Sequence, residues 1–218
     1  YVGSMQIQSD KSALAGRQEE GVNKTILSYK DFRKAMSLAV NRADYNQQCT
    51  TASLPGFGIF NSMHYYDVAN GGAYRNTDEA KQVLCDTYGI DVSKYPTLDD
   101  AVDALTGYDL VQAKELVTKA YNEALAAGDI KETDKVVITF GSGAETESVQ
   151  RVTKFLGDSF KKMVEGTPLE GRLDYNFENH DKKWADDFRA GAYDVCTGGW
   201  TGAAWDPGYF LLAYLSPA

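Results

Sequence analysis

The stretch from Lys135 to Trp200 most constrains how this chain can fold. "KVVITF" (135–140) is a β-branched and aromatic run, the composition of a buried strand. Over 145–165, Val149, Val152, Leu156, Phe160 and Met163 recur at three- and four-residue spacing, which predicts a helix with one apolar face. "GRLDYNFE" (171–178) alternates Leu173, Tyr175 and Phe177 with polar residues, as a second strand does. "DKKWADDFRAG" predicts a short helix stopped at Gly191, and "YDVCTGGW" a third strand. Strands separated by helices argue for crossover connections, and so for an α/β domain.

The preceding residues read mainly as helices. "YVGSMQIQSD" opens the chain with loose alternation at Val2, Met5 and Ile7, a candidate strand, and "KSALAGRQEEGVNK" follows as a loop or irregular helix. In "SYKDFRKAMSLAVNR", Phe32, Ala35, Met36, Ala39 and Val40 form one apolar stripe, and Ser28 with Asp31 resembles a capping box. Residues 50–76 lack helical periodicity and are rich in Gly, Asn and aromatics, which predicts a long irregular segment. Helices resume over 78–89, 97–107 and 109–128, the last with Ala113, Leu116, Val117, Ala120, Tyr121 and Ala124 on one face. "PGYFLLAYL" predicts a final helix starting at Pro207. There is no internal repeat and no low-complexity linker, so residues 1–218 are expected to form one α/β domain.

Composition narrows the function. Acids outnumber bases 31 to 22, the net charge is −9, and the densest basic cluster is "DKKW", too short to follow a phosphate backbone. Nucleic acid is therefore not expected as a partner. Cys49, Cys85 and Cys196 lie far apart without zinc-ligand spacing, and His64 and His180 have no neighbouring ligand pattern. Buried free thiols and no metal site are expected. No apolar run approaches the ~20 residues that span a bilayer. Tyr1 is not an initiator Met and "YFLLAYLSPA" closes on an apolar run, so both ends are expected to be cuts within a longer protein.

Catalytic chemistry finds little support. The "GSG" after the first strand of the α/β pattern could cradle a phosphate ahead of a helix N-terminus. A dinucleotide fingerprint, however, needs Gly where Thr146 stands, and Glu145 and Glu147 would repel an anion. No nucleophile elbow is present, and the pairs Asp99–Asp100 and Asp186–Asp187 are adjacent, so on a helix they point apart.

"GGWTGAAWDPGYF" (198–210) is the remaining candidate. A strand ending at Gly198-Gly199 delivers Trp200 onto a loop of small residues (Gly202, Ala203, Ala204) that lets another molecule approach the backbone. Trp205 and Tyr209 flank it, and Asp206 before Pro207 suits a helix N-cap. The loop falls beyond the carboxyl end of a strand, where α/β sheets place ligands. On residue types alone it is either a ligand platform or a packed aromatic corner.

Three stretches carry a resemblance. "DFRKAMSLAVNRADY" (31–45) is similar to a helix of the form "vRqAl..AiDR", with Arg33, Ala35, Ala39, Asn41 and Arg42 matching or nearly so. "YDLVQAKELVTKA" (108–120) looks like "yDpekAkeLLaeA", and "GGWTGAAWDPGYFL" (198–211) matches "gW..Dy.dP..fl" at Trp200, Asp206, Pro207 and Phe210. In this order they resemble the solute-binding proteins of peptide ABC transporters, the oligopeptide- and dipeptide-binding family.

The resemblance implies one lobe of a type II periplasmic-binding-protein-like fold, a mixed sheet flanked by helices. This chain would be an incomplete lobe covering most of the second, C-terminal half of a longer, two-lobed receptor. It implies a binding protein rather than an enzyme, without a cofactor, that captures oligopeptides and delivers them to a membrane permease. Implied partners are a peptide or peptide-like ligand, the opposite lobe and the cognate ABC permease. The implied location is the extracellular face of the membrane or the periplasm, with a lipid anchor on the full-length protein. The implied ligand-binding residues are Gly199, Trp200, Thr201, Gly202, Ala203 and Trp205. Relatives taking peptides with free N-termini carry an aspartate three residues after the tryptophan, to pair with the α-ammonium; here that position is Ala203. Two alternatives are a sensory or structural domain derived from such receptors, and an α/β enzyme using the 141–147 loop.

Overall fold

The computed structural model describes residues 2–50, 52–200 and 208. In chain order its elements are β1 (Val2–Ile7), α1 (Lys11–Ala15), β2 (Val22–Asn23), α2 (Lys30–Leu38), α3 (Arg42–Cys49), β3 (Tyr65–Asp67), β4 (Gly72–Ala73) and α4 (Asp78–Tyr88). Then come α5 (Leu98–Asp103), α6 (Leu110–Ala126), β5 (Lys135–Ser142), α7 (Glu147–Val164), β6 (Leu173–Asn179), α8 (Trp184–Arg189) and β7 (Val195–Trp200). They fall into two compact units, one of Met5–Leu54 and Gly107–Gly198, the other of Tyr1–Ser4, Pro55–Thr106 and Gly199–Ala218.

The larger unit is built on β5, whose residues from Ile138 to Gly141 are all buried. β6 lies parallel along one edge of β5, from Val136↔Leu173 to Ser142↔Asn179. The other edge is shared: β2 pairs parallel at Lys135 and Val136, and β7 pairs parallel at Phe140↔Val195. β1 pairs with the far side of β7. The strands β5, β6 and β7 thus stand in the order β6-β5-β7, joined by crossovers through α7 and α8, as the strand–helix alternation predicts.

The two faces of β5 differ. Val136, Ile138 and Phe140 share a face with Leu173, Tyr175 and Phe177 of β6, and α7 covers it with Phe160, whose ring meets Tyr175 edge-on at 5.3 Å. Ala113, Val117, Ala120 and Ala124 of α6 and Phe32, Ala35 and Met36 of α2 are fully buried in the same core. The opposite face of β5 carries Thr139 and Gly141, and fully buried Tyr193 lies against Gly141.

The family-like helices owe their form to local chemistry. Asp109 caps α6 by accepting from the Gln112 amide at 2.9 Å, while its own amide donates to the Leu38 carbonyl at 3.0 Å. Arg33 Nη1 donates to the Leu27 carbonyl at 2.7 Å, and Arg42 Nη1 to the Gly107 carbonyl at 2.8 Å. These motif residues therefore hold backbone. The expected helix over 28–42 is divided: α2 ends at Leu38, and Asn41 caps α3 by accepting from the Ala43 and Asp44 amides. The capping box does not form either. Residues Thr25–Ser28 make a 3₁₀ turn, and Ser28 Oγ donates to the Thr25 carbonyl at 2.7 Å instead of capping α2.

In the smaller unit, the segment read as irregular contains an antiparallel hairpin of β3 and β4, with Tyr65↔Ala73 and Asp67↔Gly72 in register around an offset. α4 is capped by Thr77 and ends at Gly89 in the left-handed conformation, φ 70°. Lys81 of α4 pairs with Asp99 of α5 at 2.7 Å. Phe60 packs edge-on against Tyr74 at 4.7 Å, and Phe57 against Tyr88 at 5.7 Å. The helix expected from Pro207 lies outside the described residues except for Gly208.

Candidate functional site

The strand order reverses between β5 and β7, because the chain leaves β5 for one neighbour and returns on the other. At such a switch point the loops beyond the carboxyl ends of the strands diverge and leave room for a ligand. Two sequence candidates meet this criterion: the loop after β5, and the end of β7.

The loop after β5 is filled by protein. A β-carbon at Gly141 would lie 2.4 Å from the Tyr193 ring, and one at Gly143 would lie 2.8 Å from the Asp181 carbonyl oxygen and 2.9 Å from Trp184 Cδ1. These glycines admit neighbouring residues, so they are packing glycines. Thr146 Oγ1 accepts from the Val149 amide at 3.2 Å and caps α7, while Glu145 and Glu147 are exposed beside it. That arrangement satisfies the helix terminus with the chain's own groups.

Around this loop a polar cluster fixes the ends of β5 and β6. The His180 amide donates to the Ser142 carbonyl at 2.9 Å, and the His180 ring stacks on Tyr193 with centroids 4.3 Å apart. His180 Nδ1 lies 2.9 Å from Asp187 and Nε2 3.4 Å from Glu178. Tyr193 Oη donates to the Trp184 carbonyl at 2.7 Å, and burial first of all pushes its hydroxyl pKa well above the ordinary value. These contacts join one loop to the next. Along the chain His180 shows no neighbouring ligand pattern and Asp187 only its neighbour Asp186, because the residues that meet here are not adjacent in sequence.

β7 enters the switch point from a charged base. Asp194, just ahead of it, is fully buried and lies 2.5 Å from Arg17 Nη2 and 2.8 Å from Lys24 Nζ. Its Oδ2 also accepts from the Thr139 amide and hydroxyl, at 2.8 and 2.9 Å. Next, Val195 and Cys196 are buried, and burial raises the Cys196 thiol to about 11. Cys49 and Cys85 are buried free thiols whose pKa values burial also raises, so none of the three is poised as a thiolate. A β-carbon at Gly198 would touch the Gln6 side chain at 3.0 Å, so β1 closely backs β7 here.

From the register Phe140↔Val195, β7 runs past the end of β5, and its last residues are Gly199, which is exposed, and Trp200. Of the expected ligand-binding residues, Gly199 and the backbone of Trp200 are therefore at the end of this strand. Thr201, Gly202, Ala203 and Trp205 lie outside the described residues.

The architecture is an α/β fold with helices flanking a sheet, of the type II periplasmic-binding-protein kind. Three solved structures share it. "Listeria monocytogenes OppA bound to peptide" aligns at TM-score 0.62 and 18% identity, over 98% of this chain and 33% of its own length. A substrate-binding protein of an ABC transporter from Listeria monocytogenes, CtaP, aligns at 0.52 and 14%, over 99% and 33%. A periplasmic oligopeptide-binding protein from Borrelia burgdorferi aligns at 0.51 and 17%, over 87% and 29%. The chain thus spans about a third of the length of these structures. A search of curated protein sequences returned no match.

The family is shown by sequence. The pattern of the bacterial extracellular solute-binding proteins, family 5 Middle, matches residues 12–218, and the chain belongs to that family. The family and the structural relatives are described as binding proteins, not as enzymes.

Proposed function

We propose that this chain is the ligand-capturing part of the second lobe of an ABC-transporter substrate-binding protein, and that its ligands are oligopeptides passed to a membrane permease. The observation that carries the proposal is the family match across residues 12–218. In this reading the end of β7 and the loop after it form the floor of the cleft. Gly199, Gly202 and Ala203 let the peptide backbone approach, Thr201 lies along it, and Trp200 and Trp205 supply walls. The peptide pairs with main-chain groups as an added strand, so side-chain selectivity is broad. The opposite lobe closes over the ligand, and the whole receptor is held outside the cell by a lipid anchor.

Ala203 gives the reading a specific consequence. Without a carboxylate at this position, the peptide N-terminus gains no charge-assisted partner from the loop. The test uses the full-length receptor, with binding read by calorimetry and closure by small-angle scattering, against matched free and N-acetylated peptides. Closure is expected with both, with little preference between them. Ala203→Asp is expected to favour the free N-terminus by about 1.5–3 kcal/mol, the value of a hydrogen bond to a charged group. If no peptide pool closes the wild-type receptor, transport of peptides is the wrong reading.

A further inference from the structure

Asn70 is the one asparagine followed by glycine in this chain, and it sits in the exposed turn between β3 and β4. Gly71 has φ 71°, the left-handed conformation that side chains rarely adopt, so the turn itself calls for glycine there. The same glycine leaves its amide nitrogen unshielded. That amide is loosely held, at 3.4 Å from the Val68 carbonyl, well beyond an ordinary hydrogen bond. Asn70 Nδ2 donates to Asp67 Oδ2 at 2.7 Å, and the Asn70 amide donates to Asp67 Oδ1 at 3.2 Å. One side-chain amide therefore ties the turn to the last residue of β3, next to a nucleophile able to destroy it.

We infer that Asn70 is a site of spontaneous deamidation, and that its conversion loosens the β3–β4 hairpin. The Gly71 nitrogen, losing its proton to hydroxide, attacks Asn70 Cγ. The N–Cγ bond forms, the Cγ–Nδ2 bond breaks, and ammonia leaves with a proton from water. Water then opens the resulting succinimide at either carbonyl, giving aspartate or isoaspartate at position 70. Aspartate puts a carboxylate where Asp67 now receives a donor, so two like charges face each other. Isoaspartate inserts a methylene into the main chain within the Val68–Gly71 turn. Both products remove the hydrogen bond that chiefly keeps the Asp67 carboxyl below its ordinary pKa. The hairpin carries Tyr66 and Val68 exposed on its surface, so loosening it alters an apolar part of the smaller unit.

The intact chain is incubated in mildly alkaline buffer and digested with trypsin, and the peptide of residues 43–75 is sequenced by mass spectrometry. That peptide also holds Asn46 and Asn61, which serve as internal references. Asn70 is expected to gain the mass of an amide-to-acid change before any other asparagine, at a rate rising with pH, as a mixture that isoaspartyl methyltransferase labels. Asn70→Gln is expected to abolish the change in that turn. An intact Asn70 after a synthetic copy of residues 66–75 has fully converted, or earlier conversion elsewhere in the folded chain, overturns the assignment. Limited chymotrypsin digestion tests the structural half: Asn70→Asp is expected to be cut at Tyr65 or Tyr66 faster than wild type or Asn70→Gln. Equal rates overturn it.

Discussion

A glycine pair beside a helix start can mean a bound phosphate or a close neighbour, and Gly141 and Gly143 mean the second. The Tyr193 ring occupies the volume a side chain at 141 would need. Gly141→Ala is therefore expected to destabilise by about 1–3 kcal/mol through overpacking, read as a lower urea midpoint with an unchanged slope. Asp194 presents the opposite case, a single buried acid between two cations. Asp194→Asn keeps the shape and removes the charge, leaving buried Lys24 and half-buried Arg17 without this counter-ion. The expected cost is about 3–5 kcal/mol, as for a buried ion pair broken on one side. That is a large share of a typical stability of roughly 5–15 kcal/mol. Neither role could be read along the chain. Gly141 and Tyr193 are distant in sequence, as are Asp194, Lys24 and Arg17, and sequence pattern reports only neighbours on one element.

Long periodic elements were legible because one face of each is buried against something. α6 and α7 place their expected residues inward, and β5 is buried as its uninterrupted apolar composition requires. Short elements were not legible: β2 and the β3–β4 hairpin hold two or three residues each, too few for a period. Helix starts depended on which hydroxyl was free. Ser28 is spent on its own 3₁₀ turn, whereas Thr146 meets no competitor and caps α7. Thr146→Ala is expected to cost about 1 kcal/mol, seen as a lower urea midpoint and faster amide exchange at Val149. Thr146→Ser should restore both. A phosphate-binding role would make the same substitution change anion affinity, and no such change is expected.

At the scale of the molecule, the family was legible from three short motifs, and two of them serve the fold: Arg33, Arg42 and Asp109 hold backbone of the larger unit. The third leads into the loop after β7, where sequence supplies residue types without geometry. The larger unit also gathers most of the thiols and tyrosines that resist deprotonation. Burial raises Cys196 from 9.0 to about 11. Burial, then the hydrogen bond to Asp129, raises Tyr29 from 10.0 to about 12, and Tyr175 and Tyr193 are pushed up as well, chiefly by burial. In each case the folded chain keeps a proton that the unfolded chain releases, so the unfolded state binds fewer protons and stability falls as pH rises. The loss is expected to begin near pH 9.0 with the thiols, steepen from 10.0 as the tyrosines of the unfolded chain ionise, and continue through about 12. Urea midpoints taken across this window test the assignment. Cys196→Ala should shrink the early loss to the share left by Cys49 and Cys85, and Tyr29→Phe should flatten the later decline. If both variants follow the wild-type curve, other groups govern alkaline unfolding.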